Sequence, residues 1–332
     1  MEALLPNGNT GNAGFLPGDD QPAKPYCIAI DWGMDHFRLW LISELGNPML
    51  VRRSDEGFQQ AKARGFEDIV EQYLDEFGIA DNIPIIICGL AGAKQGWREA
   101  PYLNTPLSID TVASQAVSVP HRSREVRILP GIAQRSLLAP DVMRGEETQL
   151  LGMLENLPDN GLVCVAGNHC KWVRFEQGQL KHFSTFITGE LFELLATHST
   201  LKLQPGVSLE ILPSSHAFHR AFNETADNPH QVTNRLYRAH TSNLLGYSSP
   251  NSNAAELSGC LLGLEFSGAQ SKYGAFGELT LIAAGELGKR YMSAFSSRGV
   301  KVALYDAEQA AINGLFRSAK AIFNQNQDLF MR

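Results

Sequence analysis

The chain has 332 residues, 44% of them hydrophobic, which is enough for two domains with substantial cores. Its net charge of −7 and the lack of any basic run exclude a nucleic-acid binder that depends on phosphate contacts. No apolar stretch approaches the length of about 18 residues that a membrane-spanning helix needs. We therefore expect neither nucleic acid nor a membrane as a partner.

The five cysteines show no CxxC or zinc-ligand spacing, and three lie in apolar runs typical of buried strands. A reduced, cytoplasmic protein is the simplest interpretation. The first 25 residues are rich in Pro, Gly and Asn, and they lack the charged start and apolar centre of a signal peptide. We expect residues 1–25 to form a disordered extension.

From Tyr26 onward the predicted elements follow an α/β order. A buried strand ends at Asp31, a turn follows at Gly33, and a second strand returns. The next predictions are a helix at 66–74, a strand at 83–89 that enters a glycine-rich loop, a strand at 126–131 and a helix at 145–154.

The strand-turn-strand pattern occurs again at 162–175. It is followed by predicted helices at 189–197 and 254–267, a strand at 279–284 that runs into a helix through Tyr291, a strand at 300–304, and a helix from Asp306 to about residue 323. The repeat predicts two similar α/β domains, 26–155 and 156–332, each presenting a phosphate turn to a shared nucleotide cleft. One large sheet with two hairpins is the alternative.

Several short motifs are more specific than this pattern. They are Asp31-Trp32-Gly33 and the runs GWREAPYL at 96–103, MRGEETQL at 143–150, NHCKW at 168–172, TGELF at 188–192 and LSG at 257–259. Together they resemble the 2-dehydro-3-deoxygalactonokinases, sugar-acid kinases that are similar to the wider actin, Hsp70 and hexokinase-like superfamily. The resemblance extends from about Tyr26 to the C-terminal helix.

This resemblance implies two ribonuclease H-like domains of the actin/hexokinase type around an interdomain nucleotide cleft, with the C-terminal helix packing back on the first domain. It also implies ATP-dependent phosphorylation of 2-dehydro-3-deoxy-D-galactonate on its terminal 6-hydroxyl, with Mg²⁺, as a step of galactonate breakdown. The oligomeric state is not fixed by the sequence, and a homodimer is compatible with it.

The first turn would supply the metal and phosphate contacts. Asp31 would hold Mg²⁺ directly or through water, since magnesium favours one or two carboxylates. Gly33 would present its backbone N–H to a phosphate of ATP, and Arg38 would reach phosphate from the returning strand. The alternatives are a turn-forming aspartate and a surface arginine.

The second turn, Gly167-Asn168-His169, would meet the outer phosphates. Alternation along a strand predicts that His169 and Lys171 share a face, where they would act on the γ-phosphate or on the substrate's carboxylate. A buried core histidine and an exposed strand lysine are the alternatives. Gly285 would let the backbone pass close to the adenosine.

A general base is expected from Glu146 or Glu147. Related sugar kinases of the superfamily place an Asp after Gly at a comparable point, and Glu146 is the nearer match. Adjacent helical residues differ by about 100° in direction, so only one of the two would face the substrate. The other would complement the helix N-terminus.

A sugar acid also needs a cation for its carboxylate, and Arg144 is suited because a planar guanidinium grips a carboxylate with two hydrogen bonds. The other predicted substrate contacts are Gly92, Trp97, Pro101, Tyr102, Thr188 and Glu190. A packed aromatic corner is the alternative for the loop around Trp97, and helix capping is the alternative for Thr188 and Glu190.

Three positions depart from the family pattern. Met34 replaces a Ser or Thr, and Asn168 replaces a Thr. Ala284 stands where the family has its adenosine-side glycine, and the glycine follows one position later, at Gly285. These changes motivate one alternative function, a non-catalytic sugar-acid sensor; a phosphohydrolase of the same superfamily is a second. The loop around Trp97 and the paired glutamates favour a sugar acceptor, and hence a kinase.

Overall fold

The computed structural model describes residues 14–15, 24–121, 123–204 and 211–330, with side chains as far as Asn324. The chain separates into two compact units. Unit 1 contains the described residues up to Asn156 and those from Glu308 onward, whereas unit 2 is Leu157–Ala307. The chain therefore leaves unit 1 once and returns to it with its last helix.

Unit 1 is built on a seven-stranded mixed sheet and a three-stranded sheet. Its strands are β1 (Gly14–Phe15), β2 (Pro25–Trp32), β3 (Phe37–Ser43), β4 (Pro48–Ser54), β5 (Ile85–Gly89), β6 (Leu103–Asn104), β7 (Val117–Val119), β8 (Val126–Ile128), β9 (Ile132–Gln134) and β10 (Asp141–Met143). Its first helices are α1 (Phe58–Arg64), α2 (Phe66–Glu76), α3 (Thr111–Ser114) and α4 (Glu146–Gly152), with 3₁₀ turns at Leu90–Gly92 and Leu154–Asn156.

The larger sheet has the strand order β1-β4-β3-β2-β5-β8-β7. Its central strands are continuous apolar runs, as expected for strands covered on both faces. Ile28, Ile30 and Trp32 of β2 are fully buried and belong to one core cluster with Ile69 and Val70 of α2. Each such side chain contributes about 1.5–3 kcal/mol when it leaves water.

The register of β2 decides what lies at one edge of this sheet. β2 pairs antiparallel with β3, which puts Asp31 opposite Arg38, and parallel with β5, which puts Asp31 opposite Cys88. Because β2 and β5 are parallel, their carboxyl ends lie at the same edge. The turn after β2 and the loop after β5 therefore start side by side.

Unit 2 contains a five-stranded sheet with the order β13-β12-β11-β14-β15. These strands are β11 (Gly161–Val165), β12 (Cys170–Glu176), β13 (Gln179–Phe186), β14 (Glu278–Ala283) and β15 (Lys301–Asp306). The helices are α5 (Thr188–His198), α6 (His216–Asp227), α7 (Val232–Leu244), α8 (Pro250–Tyr273) and α9 (Gly285–Ser296), with a 3₁₀ turn at Pro229–Gln231; α10 (Ala307–Phe330) then returns to unit 1.

The long helix α8 organises the helical part of unit 2. It begins with Pro250 after Ser249, whose hydroxyl accepts a hydrogen bond from the N–H of Ser252, a favourable N-cap arrangement. A Cβ atom at Gly259 would lie 2.3 Å from the carbonyl oxygen of Phe218. Glycine at this position therefore allows α6 and α8 to pack backbone against backbone.

Both predicted strand-turn-strand units are confirmed, because β2 pairs with β3 and β11 pairs with β12 in antiparallel fashion. The predicted helix at 254–267 is also present, although it extends over Pro250–Tyr273. Helices α6 and α7 were not predicted. Helix α6 buries Phe218, Ala221 and Phe222 at helical spacing, whereas Ala239 is the only buried residue of α7.

The disordered extension expected over residues 1–25 stays a prediction for all but its few described residues. Gly14–Phe15 pairs with Val51 and Leu50 of β4, and β2 already begins at Pro25. The other residues before Lys24 lie outside the described part of the chain. None of the described helices combines the length and apolarity that crossing a membrane would need.

Helices α4 and α10 of unit 1 cross in backbone contact at two glycines. A Cβ atom at Gly314 would lie 1.9 Å from the carbonyl oxygen of Thr148, and one at Gly152 would lie 1.9 Å from the carbonyl oxygen of Ala310. Backbone atoms cannot yield as a side chain can. The last helix therefore fixes the position of α4.

We expect Gly314→Ala to destabilise the protein by about 1–3 kcal/mol, because the added methyl group forces α4 and α10 apart. Urea denaturation followed by circular dichroism measures this change. Gly277→Ala is the matched control, since a Cβ atom there would meet nothing within 4 Å. Equal midpoints for the two variants would contradict the close crossing.

Candidate active site

Asp31 lies at the carboxyl end of β2 with only 13% of its side chain exposed. Its carboxylate accepts a hydrogen bond from the Cys88 thiol at 3.6 Å, and it lies 3.5 Å from Nε2 of His36 and 3.7 Å from Nη1 of Arg38. Burial acts to raise the pKa of Asp31, but His36, Arg38 and Cys88 outweigh it, so the pKa is lowered. Asp31 is therefore an ionised carboxylate, suited to a cation and poorly suited to taking a proton.

The first turn differs from the expectation for Gly33. Its backbone N–H donates to the carbonyl oxygen of His36 at 2.9 Å, so this N–H is already used within the turn. The imidazole of His36 covers Gly33, since a Cβ atom there would lie 2.1 Å from the ring. In this conformation the Gly33 N–H is therefore not free for a phosphate, and the role of Gly33 in binding ATP stays a prediction.

His36 was not among the predicted site residues. Its side chain is 44% exposed and lies next to Asp31, so it offers a donor at the surface of the turn. His36 could have been predicted from its position between Asp31 and Arg38. In a tight strand-turn-strand unit, a side chain in the turn lies close to the end of the first strand. Met34 is exposed, and its carbonyl oxygen accepts a hydrogen bond from the N–H of Phe58 at 2.9 Å.

The two glutamates at the start of α4 have different surroundings. Glu147 is fully buried; its carboxylate accepts hydrogen bonds from the Gly145 N–H at 2.7 Å and from the Thr148 hydroxyl at 3.1 Å. Burial and then the charge of Glu146 raise its pKa to about 7. Glu146 is partly exposed, and it accepts a hydrogen bond from the Arg144 N–H at 2.9 Å. Of the two, Glu146 is the one within reach of a ligand.

Cys88 connects the first turn to α4. Its pKa is raised well above the ordinary value by burial and then by the charges of Asp31 and Glu147, while a hydrogen bond with Thr148 opposes the shift. The backbones also approach, since a Cβ atom at Gly145 would lie 3.8 Å from Cα of Gly89. Asp31 and the paired glutamates therefore belong to one site in unit 1.

Arg144 lies just before these glutamates. Its guanidinium lies 4.3 Å from the centre of the Tyr102 ring, and Nη2 donates to the carbonyl oxygen of Ala100 at 2.7 Å. Nε and Nη1 are buried and find no hydrogen-bond partner among the described residues. A Cβ atom at Gly92 would lie 2.6 Å from Nη1, so glycine is needed to make room. Gly92, Tyr102 and Arg144 are thus brought together.

The other residues of the predicted substrate loop are not part of this group of contacts. Trp97 packs against the core of unit 1, with its ring centre 6.4 Å from that of Phe66 and 6.4 Å from that of His121. The packed aromatic corner therefore describes Trp97 in this structure. Pro101 is exposed between Ala100 and Tyr102.

In unit 2 the second turn rests on the start of α5. A Cβ atom at Gly189 would lie 2.6 Å from Cα of Asn168, and the Glu190 N–H donates to the Asn168 carbonyl oxygen at 3.2 Å. Nε2 of His169 lies 2.5 Å from a carboxylate oxygen of Glu190. A Cβ atom at Gly167 would meet nothing within 4 Å, so this part of the turn is open.

His169 and Lys171 are not equivalent in the structure. Half of the His169 side chain is exposed, whereas only 5% of Lys171 is, with Nζ donating to the Thr185 hydroxyl at 3.0 Å. The strand begins at Cys170, so alternation along β12 says nothing about His169. The exposed-lysine alternative is wrong, and so is the buried-histidine alternative.

A buried network behind this turn was also missed. The carboxylate of Glu265 is 1% exposed and accepts hydrogen bonds from Nε1 of Trp172 at 2.9 Å and from the Tyr291 hydroxyl at 3.0 Å. Burial raises its pKa, and hydrogen bonds from Thr188, Trp172 and Tyr291 oppose the shift. This carboxylate ties α8, β12, α5 and α9 together. A glutamate inside an apolar helix was the available signal.

Gly285 begins α9 directly beyond β14, with a φ of +44° and open space where a Cβ atom would lie. β14 pairs in parallel with β11, so Gly285 and the second turn follow neighbouring strand ends. Burial lowers the pKa of Arg290 on α9, and its Nε has no partner among the described residues.

No group of three or more His, Cys, Asp or Glu side chains in the described part of the chain is arranged to hold a metal ion. At the end of β2, Asp31 by itself provides one ionised carboxylate for a cation. This fits Mg²⁺, which keeps several waters and is commonly held by one or two carboxylates together with nucleotide phosphates.

Glu147 provides a test of the buried carboxylate. Since its pKa in the folded protein, about 7, exceeds the ordinary value of 4.5, ionisation costs stability as the pH rises through this interval. We expect Glu147→Gln, which cannot ionise, to gain stability relative to the parent protein between pH 5 and pH 8. Urea denaturation at both pH values measures the difference. A constant difference would contradict the assignment, and Glu155→Gln, at an exposed position, is the control.

Comparison with known proteins shows where this chain belongs. A protein of Rhizobium meliloti (strain 1021) named as a probable 2-dehydro-3-deoxygalactonokinase is 42% identical over 299 residues, covering 90% of this chain and 98% of the relative. The 2-dehydro-3-deoxygalactonokinase of Escherichia coli (strain K12) is 31% identical over the same shares of both chains.

A crystal structure from Sinorhizobium meliloti, of a protein for which the same activity has been suggested, superposes with a TM-score of 0.83 at 42% identity. The match covers 90% of this chain and 99% of that one. The family model for 2-keto-3-deoxy-galactonokinase matches residues 31–318. The chain therefore belongs to the 2-keto-3-deoxy-galactonokinase family.

Proposed function

We propose that this protein is an ATP-dependent kinase that phosphorylates 2-dehydro-3-deoxy-D-galactonate on its terminal 6-hydroxyl, in the cytoplasmic breakdown of galactonate. Family membership supports this reaction. The observation that carries it is the grouping of an ionised Asp31, a reachable Glu146 and an unsatisfied Arg144 around α4 and the carboxyl ends of β2 and β5.

Asp31 would hold the Mg²⁺ that accompanies ATP, directly or through water. This cation would neutralise charge that develops on the transferring phosphoryl group. The lowered pKa of Asp31 keeps the ligand ionised. Arg38, whose Nη1 lies 3.7 Å from Asp31, would turn toward a phosphate oxygen.

Glu146 would act as the general base. The 6-hydroxyl oxygen of the sugar acid forms a bond to the γ-phosphorus, the bond to the ADP oxygen breaks, and the hydroxyl proton passes to the Glu146 carboxylate. Glu147 is closed off by the Gly145 N–H and the Thr148 hydroxyl, so its role would be to hold the start of α4 in place.

Arg144 would bind the substrate's carboxylate. Two unsatisfied donors on a cation are costly, at about 1–3 kcal/mol or more each, and a carboxylate can accept from both. Because both atoms are buried, a small shift of the neighbouring loop would accompany binding. Tyr102 and Gly92 would shape this end of the site, with Pro101 at its rim.

The second turn would bind the outer phosphates through Gly167, Asn168 and the exposed His169, with Lys171 supporting the turn from within the sheet. Gly285 would lie near the adenosine. We further propose the actin/hexokinase-type arrangement, in which one nucleotide engages both turns in a cleft between the units. Closure of this cleft would exclude water, so that the sugar hydroxyl accepts the phosphoryl group.

His36 would compensate for the hydroxyl that Met34 cannot offer. Its imidazole covers the first turn and is partly exposed, so a ring N–H can donate to a phosphate where the Gly33 N–H cannot. Thr188 and Glu190 would contact the substrate only if the His169–Glu190 contact opens; otherwise they stabilise the second turn.

A coupled ADP-release assay with a panel of 2-keto-3-deoxy sugar acids tests the function directly. We expect turnover that requires both ATP–Mg²⁺ and the galactonate derivative. Sugar-acid binding without ATP affinity would instead identify a sensor, and phosphate release without a sugar would identify a phosphohydrolase.

We expect Asp31→Asn to lower turnover by about 10²-fold or more, because a neutral amide is a poor Mg²⁺ ligand, while binding of the sugar acid stays intact. Steady-state kinetics and calorimetry separate the two effects. Asp35→Asn, an exposed position in the same turn, is the matched control. Unchanged turnover in Asp31→Asn would exclude Asp31 from the metal site.

We expect Arg144→Lys to raise KM for the sugar acid by about tenfold, with a smaller change in kcat, because lysine keeps the charge and loses the planar pair of donors. KM for ATP should stay the same. Arg98→Lys, at an exposed position in the neighbouring loop, is the control. A change in KM for ATP alone would place Arg144 on the nucleotide side.

A further inference from the structure

A polar pocket in unit 2 is not used by the proposed reaction. It has a volume of about 400 Å³ and lies among α6, α7, the loop after α7 and α8. This volume falls within the range of about 300–1,000 Å³ that is usual for small-molecule sites. None of its lining residues belongs to the first turn, to the second turn or to the cluster of Gly92, Tyr102 and Arg144.

The pocket carries an excess of positive charge. Three arginines line it: Arg220 pairs with Glu256, and Arg235 pairs with Glu224. Arg238 is exposed and has no ion-pair partner among the described residues. Among the described residues, the lining therefore holds one cation more than it holds carboxylates, in a chain whose net charge is −7.

Unsatisfied polar atoms also belong to this lining. Nε of Arg235 and the hydroxyl oxygen of Ser248 are buried and have no hydrogen-bond partner among the described residues. The Arg235 side chain is only 13% exposed, so this donor is sheltered from bulk water. Buried polar groups in native proteins are nearly always paired, and orphaned ones call for a ligand or a bound water.

The lining of the pocket has an apolar part and a polar part, as sites that bind small molecules do. Ala221, Ala239 and Cys260 are buried and line its apolar part, while the arginines and Ser248 supply its polar part. A guanidinium recognises phosphate and carboxylate oxygens better than neutral groups, because its donors form a planar fork. Shape and charge together favour a small organic anion.

We propose that this pocket binds a small organic anion that carries phosphate or clustered carboxylate groups, with Arg238 and Arg235 as its main contacts. Ala239 is the only buried residue of helix α7, and the residues around it on the same face, such as Arg235 and Leu236, are partly buried. An anion that bridges α7 to α6 and α8 would add to the contacts that hold α7 in place.

Calorimetric titration of the full-length protein with inorganic phosphate and, separately, with citrate tests the site. We expect at least one of these anions to bind, and Arg238→Gln to weaken that binding about tenfold, since one charged contact is lost. Arg238 is exposed, so the variant should keep the parent's melting temperature and its kinase turnover without added anion. Lys301→Gln, which removes an exposed lysine of unit 2 elsewhere, is the matched control.

A second variant separates this pocket from the second turn, where a phosphate could also bind. We expect His169→Ala to leave the anion affinity of the pocket unchanged. Absence of binding by both anions would overturn the proposal, as would binding that survives Arg238→Gln and is lost in His169→Ala.

Discussion

The carboxylate of Asp31 lies between a thiol, an imidazole and a guanidinium at the end of β2, and these contacts connect three segments of unit 1, namely β5, the first turn and β3. The parallel pairing of β2 with β5 brings Cys88 to it, and Cys88 in turn lies near Glu147 and Thr148 of α4. A charge largely removed from water needs partners held close to it, and the sheet holds two of them, Arg38 and Cys88, opposite Asp31. The helix that carries the glutamates is thereby placed relative to the strand that carries the aspartate.

The two turns satisfy their backbone groups in different ways. The first turn is closed on itself, with the Gly33 N–H bonded to His36 and the imidazole covering the glycine. The second is open at Gly167. Its Asn168 packs against Gly189, and the hydrogen-bond network around Glu265 lies behind it. Similar strand-turn-strand patterns in the sequence therefore lead to different local chemistry. At the first turn the exposed donors belong to side chains, whereas the backbone is more accessible at the second.

Apolar runs and turn residues predicted the strands and helices that carry the candidate site, because those elements bury strongly periodic segments. Helices α6 and α7 were not predicted, although α6 carries buried apolar residues at helical spacing, among them Phe218, Ala221 and Phe222. Asp31, Glu146 and Arg144 could be named from motifs, as could Arg38, Gly92 and Tyr102 beside them, whereas His36 and Cys88 could not. The burial of Glu147, the position of His36 over Gly33 and the packing of Trp97 on Phe66 arise from tertiary contacts that no local pattern contains.

The crossing of α4 by α10 has a consequence for how the protein is made. Unit 2 is inserted into unit 1, so the strands of the larger sheet leave the ribosome long before the helix that fixes the start of α4. During synthesis unit 2 can fold as a continuous segment, whereas unit 1 has to wait for the last stretch of the chain. The glutamates of α4 gain their final support only then. A nascent chain can thus hold every strand of the larger sheet while α4 still lacks the helix that it packs against.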